Sequence, residues 1–342
     1  MKIILINNKY KLIGILVLIA TAFFYKATDL ITFARNSVEK KYDVYTREIS
    51  EIPVSKSKLN QQEKLQEEQS PDSVGPVSDS TTSEEPSFDI NNLTSKAVYI
   101  EDIYTATQLF EKNAERLLLP ASTTKIMTAL VARDEYHLED IFTVPNVAEI
   151  EGYSVGLFKN EKVSVKDLLK AALIQSSNDA AYTLAISHPE GLEGFVELMN
   201  SKAKQLDLKS TFFDNPAGFD AKNQKSSAHD LAIMSKELMK DQFLKEIVGI
   251  KETVITDQTN VYKHHLYNTH QLLGVDESVV GIKTGTTEGA SEVLITQFER
   301  ENRNILIVVM GSNDRYKETS QLIDWVFEEF VWLTPTQIIE KS

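Results

Sequence analysis

Apolar positions at the two ends of the globular part follow the short runs that are typical of strands. Runs at Ala97–Asp102 and Thr105–Glu111 flank a turn and predict two strands. Val279–Thr284, Ser291–Phe298 and Asn304–Met310 predict three more, the last two joined by a polar hairpin connection. Because helical patterns fill the space between these groups, we expect an α/β (α+β) fold. It would contain a five-stranded antiparallel sheet assembled from both chain ends, flanking helices and an all-helical insertion.

Apolar residues recur at intervals of three and four in the middle of the chain, which predicts helices. The first begins at Pro120-Ala121-Ser122 and runs to about Asp134. Four further helices and a final amphipathic one are predicted at Val165–Ile174, Asp179–Ile186, Leu192–Leu206, Ala228–Met239 and Glu318–Trp332.

An apolar run near the N terminus bears on where the protein acts. Lysines precede the uncharged run Leu12–Tyr25 and Lys26 closes it, the pattern of a positive segment followed by a hydrophobic core. We therefore assign residues 1–35 as a signal anchor or a cleaved signal peptide, with a buried soluble helix as the remaining alternative. The run is short for a bilayer core of about 30 Å, but the only Ala-x-Ala site, Ala20-Thr21-Ala22, is followed by aromatic residues. An anchored extracytoplasmic protein is the favoured interpretation, and a secreted one is the alternative.

The next segment, residues 36–90, is rich in Lys, Gln, Glu, Ser and Pro. Such a composition buries too little apolar surface to offset its ordering entropy, so it predicts a disordered linker. A catalytic domain is expected over residues 91–335 and a C-terminal tail over 336–342.

Composition excludes several classes of function. The formal net charge of −14 argues against a nucleic-acid partner, which would favour a basic surface. The chain has no cysteine, and hence no disulfide, thiolate ligand or cysteine nucleophile. His264 and His265 are adjacent, and no His-Glu-x-x-His string occurs. We therefore expect side chains to carry the chemistry without a metal or cofactor.

Ser122 and Lys125 are candidates for covalent chemistry. Residues three apart share one face of a helix, so the amine can reach the hydroxyl. Free N–H groups at a helix start favour an anionic intermediate, and a lysine can act as base if burial and a neighbouring cation lower its pKa. On its own this string is more often an N-cap serine beside a solvated lysine.

Two further strings strengthen the catalytic interpretation. Ser176 and Asn178 lie in a turn between helices, where a hydroxyl can relay a proton and an amide can bind a carbonyl; the alternative is a simple helix cap. Lys283, Thr284 and Gly285 fall on a predicted strand, along whose edge an extended peptide could bind; the alternative is an ordinary edge strand ending in a turn.

Taken with their flanks, these strings resemble a known family. Leu119 to Thr128, Ile174 to Ala181, Asn215 to Asp220 and Val280 to Thr287 are similar to segments of the serine D-Ala-D-Ala carboxypeptidases. These are the low-molecular-mass penicillin-binding proteins, which share the β-lactamase/transpeptidase-like fold. The resemblance covers about Ser95 to Val331.

The resemblance implies a function and roles for individual residues. Ser122 would be acylated by a peptidoglycan stem peptide ending in D-Ala-D-Ala, or by a β-lactam antibiotic, with Lys125 as its base. Ser176 would relay a proton to the leaving D-alanine and Asn178 would bind the peptide. Lys283 and Thr284 of the Lys-Thr-Gly string, with Gly285, would engage the terminal carboxylate, and the N–H groups of Ser122 and Thr286 would form the oxyanion hole.

Two departures from the family pattern leave other functions open. Ser177 stands where the family often has glycine or alanine, and Thr286 where it often has histidine. A D,D-endopeptidase that cuts cross-links would use the same residues. A β-lactamase is less favoured, since the middle string is Ser-Ser-Asn and no extra deacylating glutamate is evident; a non-enzymatic penicillin sensor is the remaining alternative.

Overall fold

The computed structural model describes residues 51–60 and 88–340. At the centre of the described part is an antiparallel sheet of five strands. They are β2 (Ala97–Asp102), β3 (Thr107–Lys112), β8 (Val279–Thr287), β9 (Ser291–Arg300) and β10 (Arg303–Ser312). Their order in the sheet is β3-β2-β10-β9-β8, so segments from before and after the helical insertion build it together, as the sequence predicts.

The middle strand β10 explains why the sheet has a core on both faces. Leu306, Val308 and Met310 pack into the larger core on the side of the helical insertion. Ile305, Ile307 and Val309 alternate with them and pack into a second core on the opposite side. A strand that is buried on both faces is apolar throughout, which is why this one was recognised from its sequence.

Helices fill the insertion between β3 and β8. The helix Val165–Ile174 has the predicted bounds, and Ser164 caps it by accepting a hydrogen bond from the Asp167 N–H. The first helix differs in its first turn: Ala121–Thr124 form a 3-10 turn, and the α-helix proper is Lys125–Glu135. The other helices of the insertion are Asn178–Ile186, Gly191–Gln205, Ala228–Leu238 and Gln242–Val248.

Short two-stranded ladders complete the insertion. β4 (Ile141–Thr143) pairs with β5 (Lys162–Ser164), and β6 (Glu252–Thr256) pairs with β7 (Lys263–Tyr267), each pair antiparallel. None of these ladders was predicted from the sequence.

The prediction of a disordered linker over residues 36–90 is wrong for part of its length. Ile52–Ser55 form β1, which pairs antiparallel with β11 (Phe330–Leu333). Phe88 and Ile90 pack against the second core, and a 3-10 turn follows at Ile90–Asn92, so the ordered domain begins before residue 91. The remainder of the linker and residues 1–50 lie outside the described residues.

The C-terminal helix also differs from its prediction. It spans Arg315–Glu329, with Asp314 as N-cap, and Leu322, Ile323 and Val326 face the second core. The predicted continuation to Trp332 is wrong because β1 supplies backbone partners that draw Phe330–Leu333 into a strand. A short helix, Pro335–Glu340, occupies most of the predicted tail.

None of the helices among residues 51–60 and 88–340 has the length and apolarity needed to cross a membrane. The apolar run Leu12–Tyr25, on which the anchor prediction depends, lies outside these residues.

Candidate active site

Ser122 lies in a tightly enclosed turn. Ala121, directly before it, has a φ of 49°, in the left-handed region that non-glycine residues rarely adopt. Two glycines allow other segments to approach: a Cβ on Gly285 would lie 3.0 Å from the Ser122 nitrogen, and one on Gly218 would lie 1.8 Å from the Ala121 oxygen. The Asn-Pro-Ala-Gly loop and the Lys-Thr-Gly strand therefore both close on Ser122.

Lys125 is positioned to act on the Ser122 hydroxyl. Its Nζ lies 3.0 Å from Ser122 Oγ and donates to the Ala217 carbonyl at 2.8 Å, and the residue is completely buried. Burial lowers the pKa of Lys125 well below its ordinary value, the Lys283 ammonium lowers it further, and Asp179 opposes both. A neutral amine in this position can accept the proton of the serine hydroxyl.

Ser176 faces the same space from the other side. It is 2% exposed and has a φ of 62°, and its Oγ has no hydrogen-bond partner among the described residues. A buried hydroxyl without a partner is costly, so its position indicates that a ligand or water completes its bonding. The strained backbone aims this hydroxyl into the cleft.

Asn178 is placed differently from the sequence-based expectation of a direct peptide contact. Its Nδ2 donates to the Glu151 carbonyl at 2.7 Å, and its backbone N–H donates to the Tyr153 carbonyl at 2.7 Å. In this structure Asn178 holds the segment that carries Tyr153.

Lys283 lies beneath the cleft rather than in its wall. It is 1% exposed and its Nζ donates to the Thr284 carbonyl at 3.0 Å. Burial, followed by the charge of Arg315, lowers its pKa from 10.5 to about 7. Thr284 does line the cleft, and its hydroxyl shares a hydrogen bond with that of Thr269 at 2.6 Å.

Arg315 lines the cleft and places a second positive charge near Lys283, although its sequence context does not predict a site residue. Its Nη1 donates to the Gly285 carbonyl at 2.7 Å and to the Thr286 hydroxyl, and its guanidinium lies over the Tyr316 ring. The neighbouring sequence shows only that Asp314 is a suitable N-cap for the helix that begins at Arg315. It gives no sign of a functional role for Arg315. Only the position of that helix beside β8 brings the guanidinium to the site.

A cleft of about 180 Å³ joins these groups. Arg315 is the charged residue of its lining, which includes no carboxylate, so the cleft is suited to an anionic ligand end. The lining consists of Ser122, Tyr153, Ser176, Asn268, Thr269, Gln271, Thr284, Gly285, Thr286, Arg315 and Tyr316.

The histidine beneath the cleft does not supply a competing base. His270 is 2% exposed, and its Nε2 lies 3.0 Å from the Thr296 hydroxyl. Burial lowers its pKa to about 3 despite the bonds that favour its charged form. The amine of Lys125 is thus the basic group within hydrogen-bond reach of Ser122 among the described contacts.

The chain is similar to a known protein family over most of the described residues. Residues 80–314 match the family model described as D-alanyl-D-alanine carboxypeptidase, peptidase S11. The chain belongs to this family. The fold prediction is confirmed by the crystal structure of the DD-transpeptidase of Streptomyces K15. That structure superposes with a TM-score of 0.66 at 25% identity, covering 69% of this chain and 98% of the transpeptidase.

Individual S11 family members show the same similarity. The D-alanyl-D-alanine carboxypeptidase DacF of Bacillus subtilis is 34% identical, over 66% of this chain and 60% of DacF. DacC of Escherichia coli is 36% identical, over 74% of this chain and 65% of DacC. A D-alanyl-D-alanine endopeptidase of Escherichia coli is 28% identical, over 75% of this chain and 83% of that enzyme. The chain thus spans about 60 to 65% of the length of the two carboxypeptidases.

Proposed function

We propose that this protein is a cell-wall D,D-carboxypeptidase that removes the terminal D-alanine from peptidoglycan stem peptides. The observation that carries the proposal is the 3.0 Å contact between Lys125 Nζ and Ser122 Oγ inside a buried, cation-rich site. Membership of the S11 family and the two carboxypeptidase relatives support the choice of substrate.

We assign the acylation step to Ser122, Lys125, Ser176 and Thr286. Lys125 takes the Ser122 proton as Oγ attacks the carbonyl carbon of the penultimate D-alanine, and the tetrahedral intermediate carries the negative charge on its oxygen. The N–H groups of Ser122 and Thr286 stabilise that oxyanion. As the C–N bond breaks, Ser176 passes a proton to the departing amine of D-alanine and recovers one from Lys125.

Deacylation repeats these steps with water as the nucleophile. Lys125, neutral again, accepts a proton from the water that attacks the Ser122 ester, and the proton then goes to Ser122 Oγ as the C–O bond breaks. The products are the shortened peptide and the free enzyme.

Arg315 and its neighbours bind the terminal carboxylate of the substrate. Arg315 is fixed by Gly285 and by the Thr286 hydroxyl, while Thr284 presents a hydroxyl from the same strand. Lys283 is buried behind this wall and acts through its charge, which lowers the Lys125 pKa. Asn178 has an indirect role, since it holds the neighbouring loop.

Release of D-alanine tests this function. The full chain should release D-alanine from a pentapeptide ending in D-Ala-D-Ala, and benzylpenicillin should add its mass to the protein at Ser122. Ser122→Ala should abolish both results. A folded wild-type protein that is labelled by penicillin but releases no D-alanine would contradict the carboxypeptidase activity.

Endopeptidase activity is the second candidate, favoured by the Escherichia coli endopeptidase relative, of which this chain covers 83%. The same residues would cut a D-Ala amide in a cross-link. Muropeptide analysis separates the two: a carboxypeptidase converts pentapeptides to tetrapeptides, whereas an endopeptidase converts cross-linked dimers to monomers.

We also propose that the N-terminal segment anchors the protein to the cytoplasmic membrane with its catalytic domain outside. The lysines before Leu12–Tyr25 and the weak cleavage site support an anchor. Full-length protein should fractionate with membranes, and salt washing should not release it; a mature N terminus beyond residue 22 would contradict the anchor.

A further inference from the structure

Residues 151–158, here called the rim loop, bring one side chain, that of Tyr153, to the lining of the cleft. Tyr153 is 61% exposed. The cleft of about 180 Å³ is smaller than the roughly 300–1,000 Å³ of pockets that enclose a drug-sized ligand. A stem peptide must therefore leave the cleft after its terminal residues and pass over the edge.

A buried carboxylate, in addition to Asn178, holds this loop in place. Asp179 is 2% exposed, and its Oδ2 accepts hydrogen bonds from Ser154 Oγ at 2.5 Å, Gly156 N at 3.1 Å and Leu157 N at 2.9 Å. Its Oδ1 accepts from Ser177 Oγ and from Ala180 N. Asp179 thereby joins the rim loop to the turn that carries Ser176.

The loop has a second anchor at its far end. His264, on β7, bonds the Val155 carbonyl through Nδ1 at 3.1 Å and the Glu161 carboxylate through Nε2 at 2.8 Å. Glu161 in turn accepts from the Phe158 N–H at 2.9 Å. A loop fixed at both ends is pre-formed, which lowers the ordering cost of binding a ligand against it.

We propose that the rim loop is the wall that contacts the stem peptide beyond its two terminal residues, with Tyr153 as the contact and Asp179 as the positioning residue. The proposal rests on the function proposed above. Tyrosine suits this role because it offers a large, rigid ring and a polar end at low entropic cost. The wall is continuous with the cleft at Tyr153.

The test compares a pentapeptide stem with a short diacylated substrate that ends in the same D-Ala-D-Ala. In Tyr153→Ala, the ratio of kcat/KM for the long substrate to that for the short one should fall about five- to tenfold, through KM. Tyr153→Phe should restore most of the ratio. The matched control is Tyr104→Ala, which should leave the ratio unchanged. Tyr104 is also exposed, but it lies in the turn before β3, at the sheet edge opposite β8.

Asp179→Asn keeps the shape of the side chain but presents an NH2 group to N–H donors. It should lower the same ratio and accelerate hydrogen exchange of the Gly156 and Leu157 amides. Because Asp179 also raises the Lys125 pKa, both substrates are measured at one pH, where a change in the shared base cancels in the ratio. Ser154→Ala, which keeps the carboxylate, should change both measurements in the same direction by less, and it replaces Asp179→Asn if that variant does not fold.

Each outcome decides one part of the proposal. A long-to-short ratio that Tyr153→Ala leaves unchanged would overturn the wall. A ratio that falls in Asp179→Asn without faster exchange in the loop would overturn the positioning role. If the wild-type protein is labelled by penicillin but hydrolyses neither peptide, the proposed function is wrong and the rim-loop proposal is wrong with it. If it hydrolyses both peptides, the variants test the rim-loop proposal alone.

Discussion

Two regions of this molecule place lysines against buried groups, and the lysines differ in their own burial and in their partners. In the cleft, Lys125 bonds a hydroxyl and a carbonyl, and Lys283 bonds a carbonyl. Where the helix Ala228–Leu238 meets β2, Lys236 lies 2.7 Å from both oxygens of Glu101, which is 3% exposed. A carboxylate partner fixes the charge of a lysine, whereas burial among neutral oxygens and other cations lowers its pKa. Complete burial, with a second cation in place of a carboxylate partner, separates the base from the structural lysine.

The largest effect should come from replacing a lysine by arginine in each region. Lys125→Arg keeps the charge but cannot lose its proton near neutral pH, so acylation by penicillin should fall about 10³-fold or more. Lys236→Arg can bond Glu101 through two N–H groups and should acylate within about twofold of wild type. Stopped-flow acylation rates check both, and equal losses in the two variants would break the comparison.

Lys283→Met should have an intermediate effect that also depends on pH. Because Lys283 acts on acylation through its charge, kcat/KM for the peptide should fall by roughly tenfold, less than in Lys125→Arg. Since the Lys283 charge lowers the Lys125 pKa, its removal raises that pKa. The acid limb of the acylation profile, where Lys125 becomes protonated, should therefore move to higher pH; a move to lower pH would contradict the electrostatic role.

The same variant should be more stable than wild type. Lys283 has a folded-state pKa of about 7 against 10.5 unfolded, so between these pH values the unfolded chain binds more protons and wild-type stability rises with pH. Lys283→Met lacks this dependence. Its gain in Tm should be greatest at pH 7 and below, and should diminish towards pH 10.5.

Glu101→Gln should affect stability alone. It leaves Lys236 without its carboxylate and alters the bond that Glu101 accepts from the Tyr99 hydroxyl, at a cost of about 1–3 kcal/mol in the free energy of unfolding. Urea denaturation measures the cost. The acylation rate per folded molecule should not change, because Glu101 contacts none of the cleft residues in the described hydrogen bonds.

The smallest effect should come from an ion pair at the surface. Lys202 lies 2.8 Å from Asp134, whose side chain is 52% exposed. Lys202→Ala should change the free energy of unfolding by about 0.5 kcal/mol or less, since water and salt screen such pairs. A loss as large as that of Glu101→Gln would mean that the burial of the carboxylate partner does not set the cost of losing the pair.

The parts of the fold that sequence could predict are those with a local pattern. Val165–Ile174 combines helical spacing with an N-cap serine, and β10 is apolar throughout because both of its faces are buried. β1 has only four residues, and its partner Phe330–Leu333 lies far along the chain. Pairing between segments so far apart leaves no pattern in the local sequence. It explains why Phe330–Leu333, which continues a helical pattern, forms a strand instead.

The residues of the candidate site also fall into two groups, those that a local sequence pattern predicts and those that it does not. Ser122, Lys125 and Ser176 stand in short strings whose chemistry is recognisable, and the structure brings all three to one space. Arg315 and Asp179 were not singled out, because their partners come from other segments. Asn178 and Lys283 do not line the cleft, and the sequence could not predict this. A sequence gives the type of a residue but not which other groups lie between that residue and the cleft.

The pairing of β1 with β11 determines where mechanical load enters the domain. A pull on the chain before Glu51 reaches the four-residue ladder with Phe330–Leu333 before it reaches β2. Loss of that ladder breaks no hydrogen bond of the central sheet, because β1 pairs with β11 alone among the described strands. The short ladder would therefore yield to such a pull first and leave Ser122 in place, since the strands of the central sheet pair with one another and not with β1.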